Sequence, residues 1–234
     1  MRHPLLDAHP LLPLLAADLR ARPGRLESDD GDPIRAAVAI VLRAMPEPRD
    51  QGIEISSTIP DSRFPIPDST AIPDSRFPIP DLEVLMILRA QRDGDPWSGQ
   101  VALPGGRRDP SDATLQDTAV RETLEETGID LSAEGLVLGT LDELRPRTPV
   151  LPPIIVTPYV AIAPPEFSLQ ISDELADAFW APWSTFADPT VTNESTVNVR
   201  GADWKVSSYL VGERIVWGMT ERILRQLAER ISAL

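Results

Sequence analysis

Two nearly continuous aliphatic runs, at 36–42 and 82–88, constrain this chain more than any other feature of its sequence. Each has strand length and neither alternates with polar residues, so both faces of the sheet they enter must be covered. They read as neighbouring strands with something inserted between them. The insertion carries a repeat: Ile59-Pro-Asp-Ser-Arg-Phe-Pro-Ile-Pro-Asp68 recurs identically from Ile72 to Asp81, and 6 of the 25 prolines fall in the two copies. Proline at this density removes amide donors and fixes φ, which predicts an extended or disordered segment over about 46–80. Two copies are too few to stack as a solenoid, so a duplicated loop is favoured over a docking motif.

The other periodicities supply the layers. Residues 10–22 have helical spacing and stop at Pro23-Gly24. A Gly/Pro-rich loop through Pro104-Gly105-Gly106 leads into a helix from about Thr114 to Thr127, capped by Thr114 with Asp117 and ended by Gly128. Residues 137–141, 154–162 and the short Phe179-Trp180 read as strands, and 197–200 with 204–211 as a hairpin across Gly201. A last helix has Val216, Met219, Ile223, Leu227 and Ile231 on one stripe. Strands interspersed with a few helices predict an α/β (α+β) sandwich: a helical lead-in at 1–34, then a domain at 35–234 interrupted by the insertion.

Composition narrows the chemistry. Lys and Arg total 22 against 36 Asp and Glu, a net charge of −14, which argues against nucleic acid or an anionic membrane as partner and for a divalent cation. There is no cysteine, so no thiolate metal site or cysteine nucleophile, and the only histidines, His3 and His9, lie too near the N-terminus to build a core triad. No apolar run approaches the twenty residues of a membrane span. The apolar stretch 11–17 is broken by Pro13 and preceded by Asp7, unlike an export signal, so a cytoplasmic location is expected. Acid chemistry must rest on carboxylates.

Those carboxylates cluster on the 114–127 helix. At 100° per residue, Glu122, Glu125 and Glu126 share a sector of about 100°, while Val120 and Leu124 lie opposite. The expectation is that Val120 and Leu124 pack and that the glutamates face solvent. Like charges at i, i+3 and i+4 repel unless a cation binds between them, and an all-oxygen set suits Mg²⁺ or Mn²⁺.

At this point the sequence resembles the Nudix hydrolase family, whose box reads G-x5-E-x7-R-E-U-x-E-E-x-G-U with U aliphatic. Arg121-Glu-Thr-Leu-Glu-Glu-Thr-Gly-Ile129 matches the second half, with Thr123 at an aliphatic position. In the first half, counting from Gly106 puts the early acid at Asp112, whereas counting back from Arg121 lands on Ala113; the loop carries one extra residue and an Asp for a Glu. The resemblance implies a Nudix-type sandwich, a mixed sheet between helices. It also implies Glu122 and Glu126 as the principal Mg²⁺ (or Mn²⁺) ligands, with Glu125 sharing metals or polarising water and the Gly105 carbonyl as backbone ligand. Arg121 would hold the glutamates in position.

The likeness extends to the coenzyme A pyrophosphatase branch. Residues 85–90, 99–109, 172–182 and 216–220 resemble segments of that branch, although its upstream signature, R-S-x3-L-R-x-H-x-G, has a histidine where this chain has Trp97. The implied activity is hydrolysis of coenzyme A or its derivatives to 3′,5′-ADP and 4′-phosphopantetheine. Two alternatives stay open: another nucleoside diphosphate derivative as substrate, or a Nudix-fold module that binds nucleotide without cleaving it. Arg89, Arg107 and Arg108 are candidate phosphate contacts, Trp97 a candidate stacking surface, and Gly106 and Asp112 further candidates near the substrate. Glu174 is a candidate additional acid near the metals, with a structural position ahead of the Phe179-Trp180 strand the favoured reading. Oligomeric state is left open, with a homodimer one option.

Overall fold

The computed structural model describes residues 3–44, 82–92, 97–146, 152–191, 193–199 and 201–234. The proline-rich repeat lies outside the described residues. After a short 3-10 turn at Pro4–Asp7 come helix α1 (Leu11–Ala21), strands β1 (Ile34–Ala44), β2 (Leu82–Arg89), β3 (Val101–Ala102) and β4 (Gly105–Arg107), and helix α2 (Leu115–Thr127). They are followed by β5 (Leu136–Thr140), β6 (Ile154–Ile162), β7 (Leu175–Pro182), β8 (Asn193–Val199), β9 (Ala202–Val211), β10 (Arg214–Trp217) and helix α3 (Gly218–Ser232).

A seven-stranded sheet runs β3-β2-β1-β6-β5, with β4 also paired to β1 and β7 to β2. β1 and β6 are parallel over Ile34↔Ile154 to Leu42↔Ile162, and the other pairs are antiparallel, so the sheet is mixed. The two aliphatic runs are neighbours, as their composition predicts: Leu42 faces Val84 and Ala44 faces Leu82.

Both sheet faces are covered. Ile40, Leu42, Val84 and Met86 point into a core with Leu12, Leu15 and Leu19 of α1 and Ile223, Leu224 and Leu227 of α3. The alternate residues Ala37, Ala39, Val41 and Leu85 meet Ala119 of α2, Ile129 and Leu131 on the other face. Period-two alternation thus sends one strand's side chains into both layers. The three α1 leucines are at most 1% exposed, each worth about 1.5–3 kcal/mol of burial. The small residues Ala37 and Ala39 let α2 approach the sheet closely.

Two sequence expectations need correction. Phe179-Trp180 belongs to an eight-residue strand, β7, because its whole length pairs with β2. Val216 is not the start of the last helix: it lies in β10, paired with Tyr209, and α3 begins at Gly218. The 3.6-residue spacing of Val216 is incidental, since a fully buried strand residue satisfies the same stripe. β8, β9 and β10 form a separate three-stranded sheet.

Candidate active site

The site is built on β4. Bonds from Ala39 N–H to the Pro104 carbonyl (2.8 Å) and from Arg108 N–H to the Arg35 carbonyl (2.9 Å) mark the paired positions of the β1–β4 ladder. Gly105, opposite Val38, sits between them, so its N–H and carbonyl point away from β1. The N–H donates to Glu126 Oε2 at 2.9 Å. Gly105 has φ +152°, and a Cβ there would lie 2.3 Å from the Ala37 carbonyl oxygen; at Gly106 a Cβ would lie 2.3 Å from Glu122 Oε1. The absence of a Cβ at Gly105 therefore lets β4 lie against β1, and its absence at Gly106 leaves room for the Glu122 carboxylate.

α2 is fixed at both ends by local chemistry. The Thr114 hydroxyl accepts from Asp117 N–H, the Asp117 carboxylate accepts from Thr114 N–H, and Gly128 closes the helix at φ 75°. Its orientation meets the expectation at Val120, which packs against the cluster of Ala37, Ala39 and Ala119, and departs from it at Leu124. Thr118, Ala119, Thr123, Glu126 and Thr127 are buried, whereas Leu124 is 43% exposed. The fully buried positions are polar or small, and Leu115 and Val120 pack at their margin. Thr123 and Thr127 meet their hydrogen-bonding needs by donating to the carbonyls four residues back, at 2.7 and 2.6 Å.

Glu126 is 4% exposed, and burial pushes its carboxyl up to about 7, opposed by the Gly105 N–H and reinforced by the charge of Glu122. Burial also raises Glu122, with Arg121 opposing and the charges of Glu125 and Glu174 adding to the rise. Arg121 organises the group. Its Nη1 reaches Glu122 Oε1 (3.0 Å) and Glu125 Oε2 (2.9 Å), while Nε and Nη2 grip Asp112, both at 3.0 Å, and Nη2 also reaches the Arg107 carbonyl. Asp112 is 6% exposed and additionally accepts from the Asp109 N–H and the Thr118 hydroxyl. The Arg121 hydrogen bonds hold its carboxyl well below the usual carboxylate range. Counting forward from Gly106 thus finds the acid that meets Arg121.

The other candidates separate. Asp112 is turned inward under Arg121, and Arg108 donates to the carbonyls of Asp112 and Ala113, bracing the loop. Arg107 is exposed. Arg89, half-buried at the end of β2, brings its positive charge close to Glu126. Trp97 opens a turn whose Gly99 N–H donates to the Arg89 carbonyl. Glu174 is the residue the sequence under-read: its backbone carbonyl accepts from Ala90 N–H, and its charge reaches both Glu122 and Glu126. Thr118, fully buried on α2, steadies Asp112 by donating its hydroxyl to that carboxylate at 2.8 Å.

Among the described residues, no three acidic or imidazole side chains converge closely enough to enclose an ion as they lie. The donor set still fits a hard divalent cation. It is all oxygen, and the buried Glu126 is flanked by two further carboxylates; the charges of Glu122 and Glu125 converge on a single Arg121 nitrogen.

The family model of the NUDIX domain matches residues 79–198, and the chain belongs to the Nudix hydrolases, enzymes that act on phosphoanhydride bonds of nucleoside diphosphate derivatives. Among its relatives is the "Uncharacterized Nudix hydrolase NudL" of Photorhabdus laumondii, 36% identical over 135 residues that cover 57% of this chain and 70% of the relative. An uncharacterised Schizosaccharomyces pombe protein is 42% identical over 108 residues, 45% of this chain and 32% of that protein. A MutT/nudix family crystal structure from Enterococcus faecalis superposes with a TM-score of 0.49 at 18% identity, covering 88% of this chain and 65% of that one. No helix among the described residues is long and apolar enough to cross a membrane.

Proposed function

We propose that this chain hydrolyses the diphosphate linkage of coenzyme A or its derivatives, releasing 3′,5′-ADP and 4′-phosphopantetheine, with Mg²⁺ or Mn²⁺. Glu122, Glu125, Glu126 and the Gly105 carbonyl would hold the metal, which when bound supplies a more acidic water and neutralises diphosphate charge. The protein's own part is positional. Arg121, anchored by Asp112, sets the Glu122 and Glu125 carboxylates; the Gly105 N–H holds Glu126 and the bare Gly106 leaves room for Glu122; Arg89 offers a cation beside an acidic centre that must accept an anionic substrate.

The observation that carries the substrate reading is convergence. The four segments that resemble the coenzyme A branch are scattered in sequence but adjacent in space. β7 pairs with β2, β2 pairs with β3, Ser172 N–H donates to the Glu126 carbonyl, and Trp217 stands near Gly99 and Val101. The test is chromatography of products from coenzyme A, ADP-ribose, a nucleotide sugar and a dinucleoside polyphosphate, each with and without Mg²⁺. Coenzyme A turnover to the two named products supports the reading. Preference for a compact diphosphate overturns the substrate, and inertness towards all of them overturns the enzyme.

A further inference from the structure

Outside the glutamate helix, a cleft of about 770 Å³ lies between β3 and the three-stranded sheet. Its size is that of a small-molecule site, roughly 300–1,000 Å³. Its walls include Gln100, Val101, Val197, Asn198, Arg214 and Trp217. β3 ends the large sheet and β10 ends the small one; the two strands run close together without pairing. Backbone donors and acceptors on the outer edges of β3 and β10 are therefore not used by a ladder among the described strands, and they suit a ligand that can hydrogen-bond as a strand does.

The side chains define that ligand further. Ser98, Gln100, Thr196 and Asn198 are polar without charge, and Val101, Val197 and Trp217 are apolar. The cation in the wall, Arg214, is engaged twice: its Nη2 meets Asp177 Oδ2 at 2.5 Å, and its guanidinium lies 3.9 Å from the Phe179 ring centre. Glu213 adds a negative charge. A phosphate would find poor company here, whereas an uncharged chain bearing amides and hydroxyls finds both hydrogen-bonding edges and apolar contact.

The cleft also begins where the diphosphate site ends. Arg89 N–H donates to the Gln100 carbonyl and Gly99 N–H to the Arg89 carbonyl, both at 3.1 Å, so the Gln100 rim lies one strand spacing, about 4.8 Å, from the residue whose charge reaches Glu126. We infer that this cleft is the subsite for an extended, amide-bearing arm of the substrate. The phosphates stay at the glutamate helix while the arm passes round the edge strand at Gln100. The inference rests on the function proposed above and narrows it: the enzyme selects diphosphates by their long uncharged arm, which for coenzyme A is pantetheine.

Val197→Trp fills the cleft from β8 without touching the glutamates. The expected result is a KM for coenzyme A raised by about tenfold or more, the equivalent of one lost buried hydrogen bond. kcat should be kept, ADP-ribose kinetics unchanged, and competitive inhibition by free pantetheine weakened. Ile215→Trp fills the cleft from the opposite wall and replaces the first variant should that one melt well below wild type. An unchanged KM for coenzyme A in a folded variant overturns the subsite and leaves the proposed activity standing. A wild-type enzyme that leaves coenzyme A intact overturns the activity instead. Calorimetry with pantetheine alone then decides the cleft: binding to wild type that is lost in the filled variant sustains it, and no binding to wild type overturns it.

Discussion

Replacing Glu126 by glutamine should make the metal-free protein more stable at alkaline pH while abolishing its turnover. The folded chain holds the Glu126 proton up to about 7, against an ordinary value of 4.5. Below 4.5 both folded and unfolded chains are protonated there, and the site costs nothing extra. As pH rises from 4.5 to about 7, the unfolded chain releases the proton and the folded chain keeps it, so stability falls; above 7 the penalty is constant. At ~1.4 kcal/mol per pH unit this amounts to about 3 kcal/mol. Glutamine keeps an oxygen to accept the Gly105 N–H and never ionises. Thermal melts of EDTA-treated wild type and Glu126→Gln should therefore coincide near pH 4 and separate by pH 8, the variant melting roughly 6–12 °C higher. Adding Mg²⁺ at pH 8 should raise the wild type and leave the variant nearly unmoved. Parallel melting curves across the whole pH range would refute the idea that an unneutralised charge is buried under Gly105.

Gly106→Ala should lower kcat by about a hundredfold or more, since its Cβ would stand 2.3 Å from Glu122 Oε1 and drive that carboxylate from its seat, with little change in Tm because the displaced atom ends a flexible side chain. Asp112→Asn should cost about 2–3 kcal/mol in urea unfolding at pH 7, from the lost charge-assisted bonds to Arg121. Because the folded Asp112 carboxyl sits well below 3.8, that difference should persist through neutral pH and disappear only as pH falls below that value. Leu124→Ala should cost under about 1 kcal/mol, as expected for a side chain at 43% exposure rather than in the core. Deleting residues 48–80 should leave melting and turnover nearly unchanged, because Ala44 and Leu82, on either side of the cut, already face each other in the ladder and a shorter loop costs less entropy.

The parts of the fold that local chemistry dictates could be read from the sequence. α2 starts at Thr114 and stops at Gly128 because a capping box and a left-handed glycine are properties of a few adjacent residues. The runs at 36–42 and 82–88 announced a sheet covered on both faces, since no alternative buries Ile40 and Val41 at once. What the sequence hid is which side of α2 faces the sheet. Polarity alone assigns Val120 and Leu124 to the interior; Val120 does pack against the core, but Leu124 stays exposed, and the close approach permitted by Ala37 and Ala39 buries Ala119, Thr123 and Glu126 more deeply. Likewise, β3 and β4 are two and three residues long, too short for any periodicity, and the nearness of Glu174 to Glu126 depends on the β2–β7 register. Burying a glutamate runs against every stability rule, and the site is where that rule yields.

The parallel pairing of β1 with β6 joins opposite halves of the chain. Strand β1 leaves the ribosome early, and β6 follows only after the whole of α2 and β5. At ~5–20 residues per second, one long edge of an almost wholly aliphatic strand stays uncovered for on the order of ten seconds. Among the strand pairings of the large sheet, that of β1 with β6 shuts the largest loop, so it should be the slowest of them to form. The β1–β4–α2 unit, by contrast, uses contacts that are complete by Thr127 and can assemble before β6 arrives. In this protein the machinery of the site precedes the completion of the sheet, and a nascent chain is most exposed to aggregation along β1 during that interval.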